Sequence, residues 1–147
     1  MNRPILLLLV VLAVSSCAPA AIKNLDETSS GDRLSVSDRS FQVEVAKSES
    51  EHVKGLSGRS QLKDDAGMLF IFPDEQVRYF WMKDMLFPLD IVFIDKEGKI
   101  VDIKRDFQPC APDACPSYSS AAPAKYVLEV DAGSMEGIEP EAKVYLN

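Results

Sequence analysis

The sequence is short of the residues that most catalytic chemistry needs. Among 147 residues it has one histidine, His52, one tryptophan, Trp81, and three cysteines. With a single histidine, any Ser-His or Cys-His dyad must pass through His52. That residue lies between Glu51 and Lys54 in a polar stretch, where a solvated role is expected. No Gly-x-Ser-x-Gly, His-Glu-x-x-His or Gly-rich phosphate loop occurs. No second cysteine pair accompanies Cys110 and Cys115, which argues against a cysteine-only zinc site. Met68, Met82 and Met85 offer thioethers for copper(I), but they are spread through apolar segments and read as core. No metal or other cofactor is therefore expected. No block of Lys and Arg interrupts a chain of formal net charge -7. That disfavours nucleic acid and also electrostatic attachment to anionic lipid. Internal repeats and βαβ alternation are absent from the pattern.

The one long apolar run, residues 5–14, is too short to span a bilayer comfortably as a permanent helix. It follows Arg3 and precedes small residues ending at Cys17, the layout of a secretory signal peptide over residues 1–16. Val14-Ser15-Ser16-Cys17 resembles a bacterial lipobox. The resemblance implies that Cys17 becomes the lipid-modified first residue of the mature chain. Ala18 follows it instead of aspartate, which implies outer-membrane sorting. The expected address is thus the cell envelope, facing the periplasm. Loss of Arg3 with the signal peptide takes the net charge from -7 to -8, so acyl chains must supply the membrane attachment. In that compartment disulfides persist, and Cys110 is expected to pair with Cys115. A redox role is disfavoured because the spacing is not Cys-x-x-Cys and the loop is rich in proline.

Residues 17–40 are polar, small and mostly non-periodic, and read as the lipidated cysteine and a flexible tether. Residues 41–147 have the size of one small domain. FQVEVA (41–46) alternates like a strand. Ser48 and Glu51 form a capping-box pattern for a short helix, with Gly55 or Gly58 to end it. GMLFIF (67–72), VRYFWMK (77–83), LDIVFID (89–95), KIVDIKR (99–105), KYVLEV (125–130) and the terminal KVYL complete about seven short strands. Asp95-Lys96-Glu97-Gly98 suits a hairpin turn. The expected fold is mainly β, a small barrel-like or sandwich domain with one or two short helices.

Six blocks occur in order: GLSGRSQL, GMLFIF, FWMKDM, PLDIVFID, the PC-x4-CPSY loop and PAKYVLEVDAG. Together they resemble the DUF192 (UPF0127) family of bacterial and archaeal proteins, over about residues 41–147. The resemblance implies a compact barrel-like β domain with small helices. It implies no activity, substrate or cofactor. Asp84 stands where many members have asparagine.

The stretch FWMKDMLFPLDIVFID sets polar groups in the most apolar part of the mature chain. On a strand, Phe80 and Met82 would face the core, while Trp81 and Lys83 would share the other face as a stacking surface with a charge at its end. Asp90 is flanked by apolar residues, and a buried carboxylate must be paired or hydrogen-bonded. It could satisfy backbone donors at a strand start, the commoner outcome. Alternatively it could pair with Lys83, Arg59 or Arg78 at the mouth of a groove. The expected site is a cleft lined by Trp81, Lys83, Asp90, Arg59 and Tyr118, with the Cys110–Cys115 loop as its second wall. Such a cleft suits a binding or accessory protein for a small molecule, glycan or envelope protein segment. The alternative is a hydrolase or lyase using Asp90 as base with Lys83 or Arg59 stabilising an anion. A third possibility is a structural partner in an envelope complex, which an exposed apolar patch would favour.

Overall fold

The computed structural model describes residues 24–111 and 113–147. The expected signal peptide, Cys17 and Ala18 lie outside the described residues. Nine strands and one short helix make the fold: β1 (Arg33–Val36), β2 (Arg39–Ala46), α1 (Glu49–Lys54), β3 (Ala66–Gln76), β4 (Tyr79–Trp81), β5 (Leu89–Ile94), β6 (Ile100–Phe107), β7 (Ser117–Ser119), β8 (Ala124–Asp131) and β9 (Val144–Leu146), preceded by a 3-10 turn at Leu25–Glu27. Seven strands form one curled sheet in the order β6-β5-β8-β3-β2-β1-β9, and β4 pairs with β7 separately. The two edges of the large sheet meet at one end. Ile100 donates to the Ala142 carbonyl at 2.8 Å and Val144 to the Gly98 carbonyl at 2.8 Å, on either side of a bridge between Lys99 and Lys143. The result is a half-barrel, in agreement with the mainly β expectation.

Two apolar layers hold it. Leu34, Val43, Leu69, Val92, Leu128 and Val130 fill the inside of the curl. Met68, Phe70, Ile91, Phe93 and Val127 point to the outer face, where Leu56, Met82 and Met85 cover them. All six residues of β5 are buried because both of its faces are covered. On β8 the alternation sends Tyr126, Leu128 and Val130 inward, and the other face of that strand outward.

Three expectations change. The tether does not reach residue 40: Leu25, Leu34 and Val36 are at most 4% exposed, and β1 pairs with both β2 and β9. Only two apolar residues in RLSV carry that strand, so its polar composition hides it. β2, α1 and β3 form a βαβ unit, with β2 and β3 parallel from Gln42↔Ala66 to Ala46↔Phe70. One such unit leaves no alternating signal along the chain. The third change is that β4 is only three residues long. A turn follows it, with Met85 N–H donating to the Met82 carbonyl at 3.2 Å and Asp84 at φ +58°. Aspartate and asparagine enter that left-handed region most readily among non-glycine residues, which accounts for either residue at position 84.

The capping box of α1 is formed: Glu51 N–H donates to Ser48 Oγ at 3.3 Å, and Ser48 N–H donates to Glu51 Oε2 at 2.8 Å. Ser48→Ala removes one half of this reciprocal pair. It is expected to lower stability by about 1 kcal/mol, read by urea denaturation. An unchanged midpoint would show that α1 contributes nothing to global stability.

Candidate functional site

The five residues expected to share a cleft do not line one together: Trp81 and Lys83 are neighbours, and Asp90, Arg59 and Tyr118 lie elsewhere. Asp90 is fully buried on β5, and its carboxylate accepts from the backbone N–H of Asp106 at 2.9 Å and of Met135 at 2.8 Å. Among the described residues no Lys or Arg forms an ion pair with it. Its carboxylate satisfies backbone, but at β6 and the turn after β8, not at Pro88. Arg59 is held in a bidentate pair with Glu44, at 2.5 and 2.8 Å. Trp81 is half exposed, with the Lys83 ammonium 5.7 Å from its ring centroid, so that pair does form a stacking surface. Tyr118 sits on β7, edge-on to Phe107 with ring centroids 4.4 Å apart. It lines a different hollow, beneath the Cys110–Cys115 disulfide, together with Met82 and Pro116.

The cleft that Trp81 does line opens between α1 and β4 on the outer face of the sheet, with a cavity volume of about 230 Å³. Its depth order follows from exposure. Val53, Tyr79 and Trp81 form the rim and are 50% exposed or more, whereas Leu56, Phe70 and Met85 are buried at the base. Phe70 meets Phe80 edge-to-face at 5.2 Å. His52 is half-buried over this wall, not solvated as the sequence suggested. Its ring centroid is 4.4 Å from that of Phe72, and Nε2 is 3.1 Å from the Ala46 carbonyl oxygen. A carbonyl only accepts, so Nε2 carries a proton and donates it to that oxygen.

At the base of the cleft lies Glu129, 6% exposed. It stands on β8 between Met68 of β3 and Ile91 of β5, both apolar and on the same outer face. No hydrogen-bond or ion-pair partner meets its carboxyl among the described residues. Loss of water alone pushes that carboxyl up to about 8. Gly55, at φ +44°, leaves the space above it open. A Cβ there would lie 3.3 Å from Phe70 Cζ and 3.9 Å from Glu129 Oε2. The cleft thus ends in an unpaired acid against an aromatic edge. Among the described residues, no group of three or more His, Cys, Asp or Glu side chains is placed to hold a metal ion.

The DUF192 family model, described as "Uncharacterized ACR", matches residues 32–146. The chain belongs to the DUF192 family. A search of curated proteins finds no match. Two solved structures resemble this DUF192 chain at 30% identity. One, of a protein of unknown function from Novosphingobium aromaticivorans DSM 12444, has a TM-score of 0.70 over 76% of this chain and 82% of its own. The other, from Sinorhizobium meliloti 1021, is described as a "putative transcription regulator" and has a TM-score of 0.73 over 82% of this chain and 97% of its own. Four of the six sequence blocks that carry the DUF192 likeness supply residues to the cleft. GLSGRSQL supplies Gly55 and Leu56, GMLFIF supplies Phe70, FWMKDM supplies Phe80 and Trp81, and PAKYVLEVDAG supplies Glu129.

Sequence reasoning passes over Glu129 because KYVLEV alternates cleanly, and a polar residue opposite Leu128 looks solvent-facing. One signal was available. GMLFIF and LDIVFID are continuous apolar runs, the mark of strands covered on both faces. A strand paired between them is covered likewise, which makes its lone carboxylate a buried one.

Proposed function

We propose that this DUF192 protein is a lipid-anchored ligand-binding protein of the cell envelope, and that its ligand enters the cleft over Glu129. The observation that carries the reading is the carboxyl of Glu129, which has no hydrogen-bond or ion-pair partner among the described residues and faces the end of an aromatic-walled opening. Burying an acid unpaired is unfavourable, and a ligand that pairs with it recovers that loss. The half-exposed Trp81 at the rim supplies a stacking face. The N-terminal pattern through Cys17 and Ala18 supports anchoring to the outer membrane, facing the periplasm. Among the described residues no helix is long and apolar enough to cross a membrane.

A hydrolase or lyase reading gains one observation when moved from Asp90 to Glu129. A carboxyl raised to about 8 is protonated at neutral pH and could serve as a general acid. Asp90, with both oxygens committed to backbone, has no such freedom.

The test uses the full lipidated chain in lipid nanodiscs, screened with small amines, sugars, peptidoglycan fragments and lipids. A ligand of the cleft is expected to raise the melting temperature and shift Trp81 emission. Glu129→Gln is expected to weaken that ligand at least tenfold, on the order of 1.4 kcal/mol or more. A screen in which no compound moves either signal would overturn the cleft reading. Conversion of a bound compound to product would replace binding with catalysis.

A further inference from the structure

We propose that the cleft over Glu129 receives a small organic ammonium ion, with Glu129 as its counter-ion and Phe70, Phe80 and Trp81 as its walls. The inference rests on the cleft reading above and names the class of ligand.

Three features select a cation. First, the carboxyl of Glu129 has no opposite charge near it. Lys54 lines the same cleft, but its charge acts on Glu44, and desolvation is the one cause that moves Glu129. The Lys83 ammonium is at the rim over Trp81. Second, Trp81 stands half exposed at the rim, and the negative face of such a ring attracts ammonium groups within about 6 Å. The same chemistry is already used beside the cleft, where the Arg78 guanidinium lies 3.9 Å over Phe72, a lining residue. Third, the lining is mostly apolar and the volume is about 230 Å³. That suits a compact head carrying methyl or methylene groups, which a bare metal ion or a sugar would not fill as well. The acidic chain, at net charge -7, attracts cations at long range.

Binding such an ion is linked to proton release. The titratable groups lining the cleft besides Glu129 are Glu49, His52 and Lys54 from α1 and Tyr79 from β4; Met68 and Ile91 beside Glu129 are apolar. A cation binds the ionised carboxylate, whereas a neutral acceptor binds the protonated acid. The two classes therefore respond to pH with opposite sign.

Choline and its neutral carbon isostere 3,3-dimethylbutan-1-ol separate them, since they share a shape and differ in charge. Both are titrated calorimetrically into the full chain in nanodiscs between pH 6 and 9. Choline is expected to bind at least tenfold more tightly than the alcohol at pH 8. Its Kd should fall by about tenfold per pH unit from 6 to 8 and level above. Glu129→Gln should remove that pH dependence. Trp81→Ala should weaken choline several-fold in a chain that keeps its circular dichroism spectrum. Equal or tighter binding of the alcohol, with Trp81 emission shifted, would overturn the cation and leave the cleft standing. Choline binding indifferent to Glu129→Gln would overturn the counter-ion. Failure of both probes, together with a silent screen, would remove the cleft as well.

Discussion

Glu129→Gln is expected to flatten the pH dependence of stability between pH 4.5 and 8. The carboxyl of Glu129 is raised from the ordinary 4.5 to about 8 in the folded chain by desolvation. Below 4.5 the group is protonated in both states and imposes no electrostatic penalty. Between the two values the unfolded chain gives up its proton and the folded chain keeps it. Stability therefore falls as pH rises, by roughly 1.4 kcal/mol per unit, and levels off above 8. Across the window the loss is on the order of 4 kcal/mol. Glutamine keeps the shape and cannot ionise. Wild type and variant should lie close together at pH 4.5, and the variant should be the more stable by several kcal/mol at pH 9. Urea denaturation of both chains at several pH values reads the difference directly. Parallel curves would mean that the carboxylate finds water or a partner in solution, and the unpaired-acid basis of the cleft would go with it. A saturating cation should reverse the trend in wild type, since it stabilises the ionised form.

The sheet was readable from sequence where apolar patterning is strong. GMLFIF, LDIVFID and KYVLEV fall on β3, β5 and β8, three neighbouring inner strands of the large sheet. The capping pattern at Ser48 and Glu51 placed α1, because a cap is a local hydrogen-bond arrangement that needs no tertiary context. β1 and β7 were hidden for the opposite reason. RLSV and SYS hold few apolar residues and exist as strands through pairing with β2, β9 and β4. The site was less readable than the fold. Trp81 stood out as a lone tryptophan and does stand at the rim of the cleft. Asp90 stood out because it interrupts an apolar run, yet its role is structural. Glu129 shows no anomaly in its own strand, and its burial is decided by the neighbours on each side. Arg59 was brought in by its charge and Tyr118 by its place after the second loop cysteine, and tertiary pairing sends them to Glu44 and Phe107.

Asp90→Ala is expected to cost about 3 to 5 kcal/mol and to leave ligand affinity unchanged in the chain that remains folded. The β5–β6 ladder explains why this site needs a carboxylate. Leu89 pairs with Phe107 and Ile91 with Lys104, so one residue of β5 faces two of β6. That is a β-bulge, and a bulge leaves a backbone donor without its ladder partner. Asp106 is at the bulge, at φ +52°, and its N–H goes to Asp90 Oδ1. Oδ2 takes the N–H of Met135, a residue with no exposure. Alanine removes both acceptors and strands two N–H groups, each at about 1 to 3 kcal/mol. Asparagine keeps one acceptor but turns an NH₂ toward the other N–H, so Asp90→Asn is expected to lose about 2 to 3 kcal/mol. Urea denaturation reads the totals, and hydrogen exchange at the Asp106 and Met135 amides locates them. A loss below about 1 kcal/mol for Asp90→Ala would show that water or local rearrangement satisfies the bulge. A specific loss of ligand binding without loss of stability would instead return Asp90 to the site. The bulge also ties β6 to the turn after β8 through one side chain, and β8 is the strand that carries Glu129. Asp90 therefore fixes the frame around the cleft from the inside of the fold, without touching what the cleft binds.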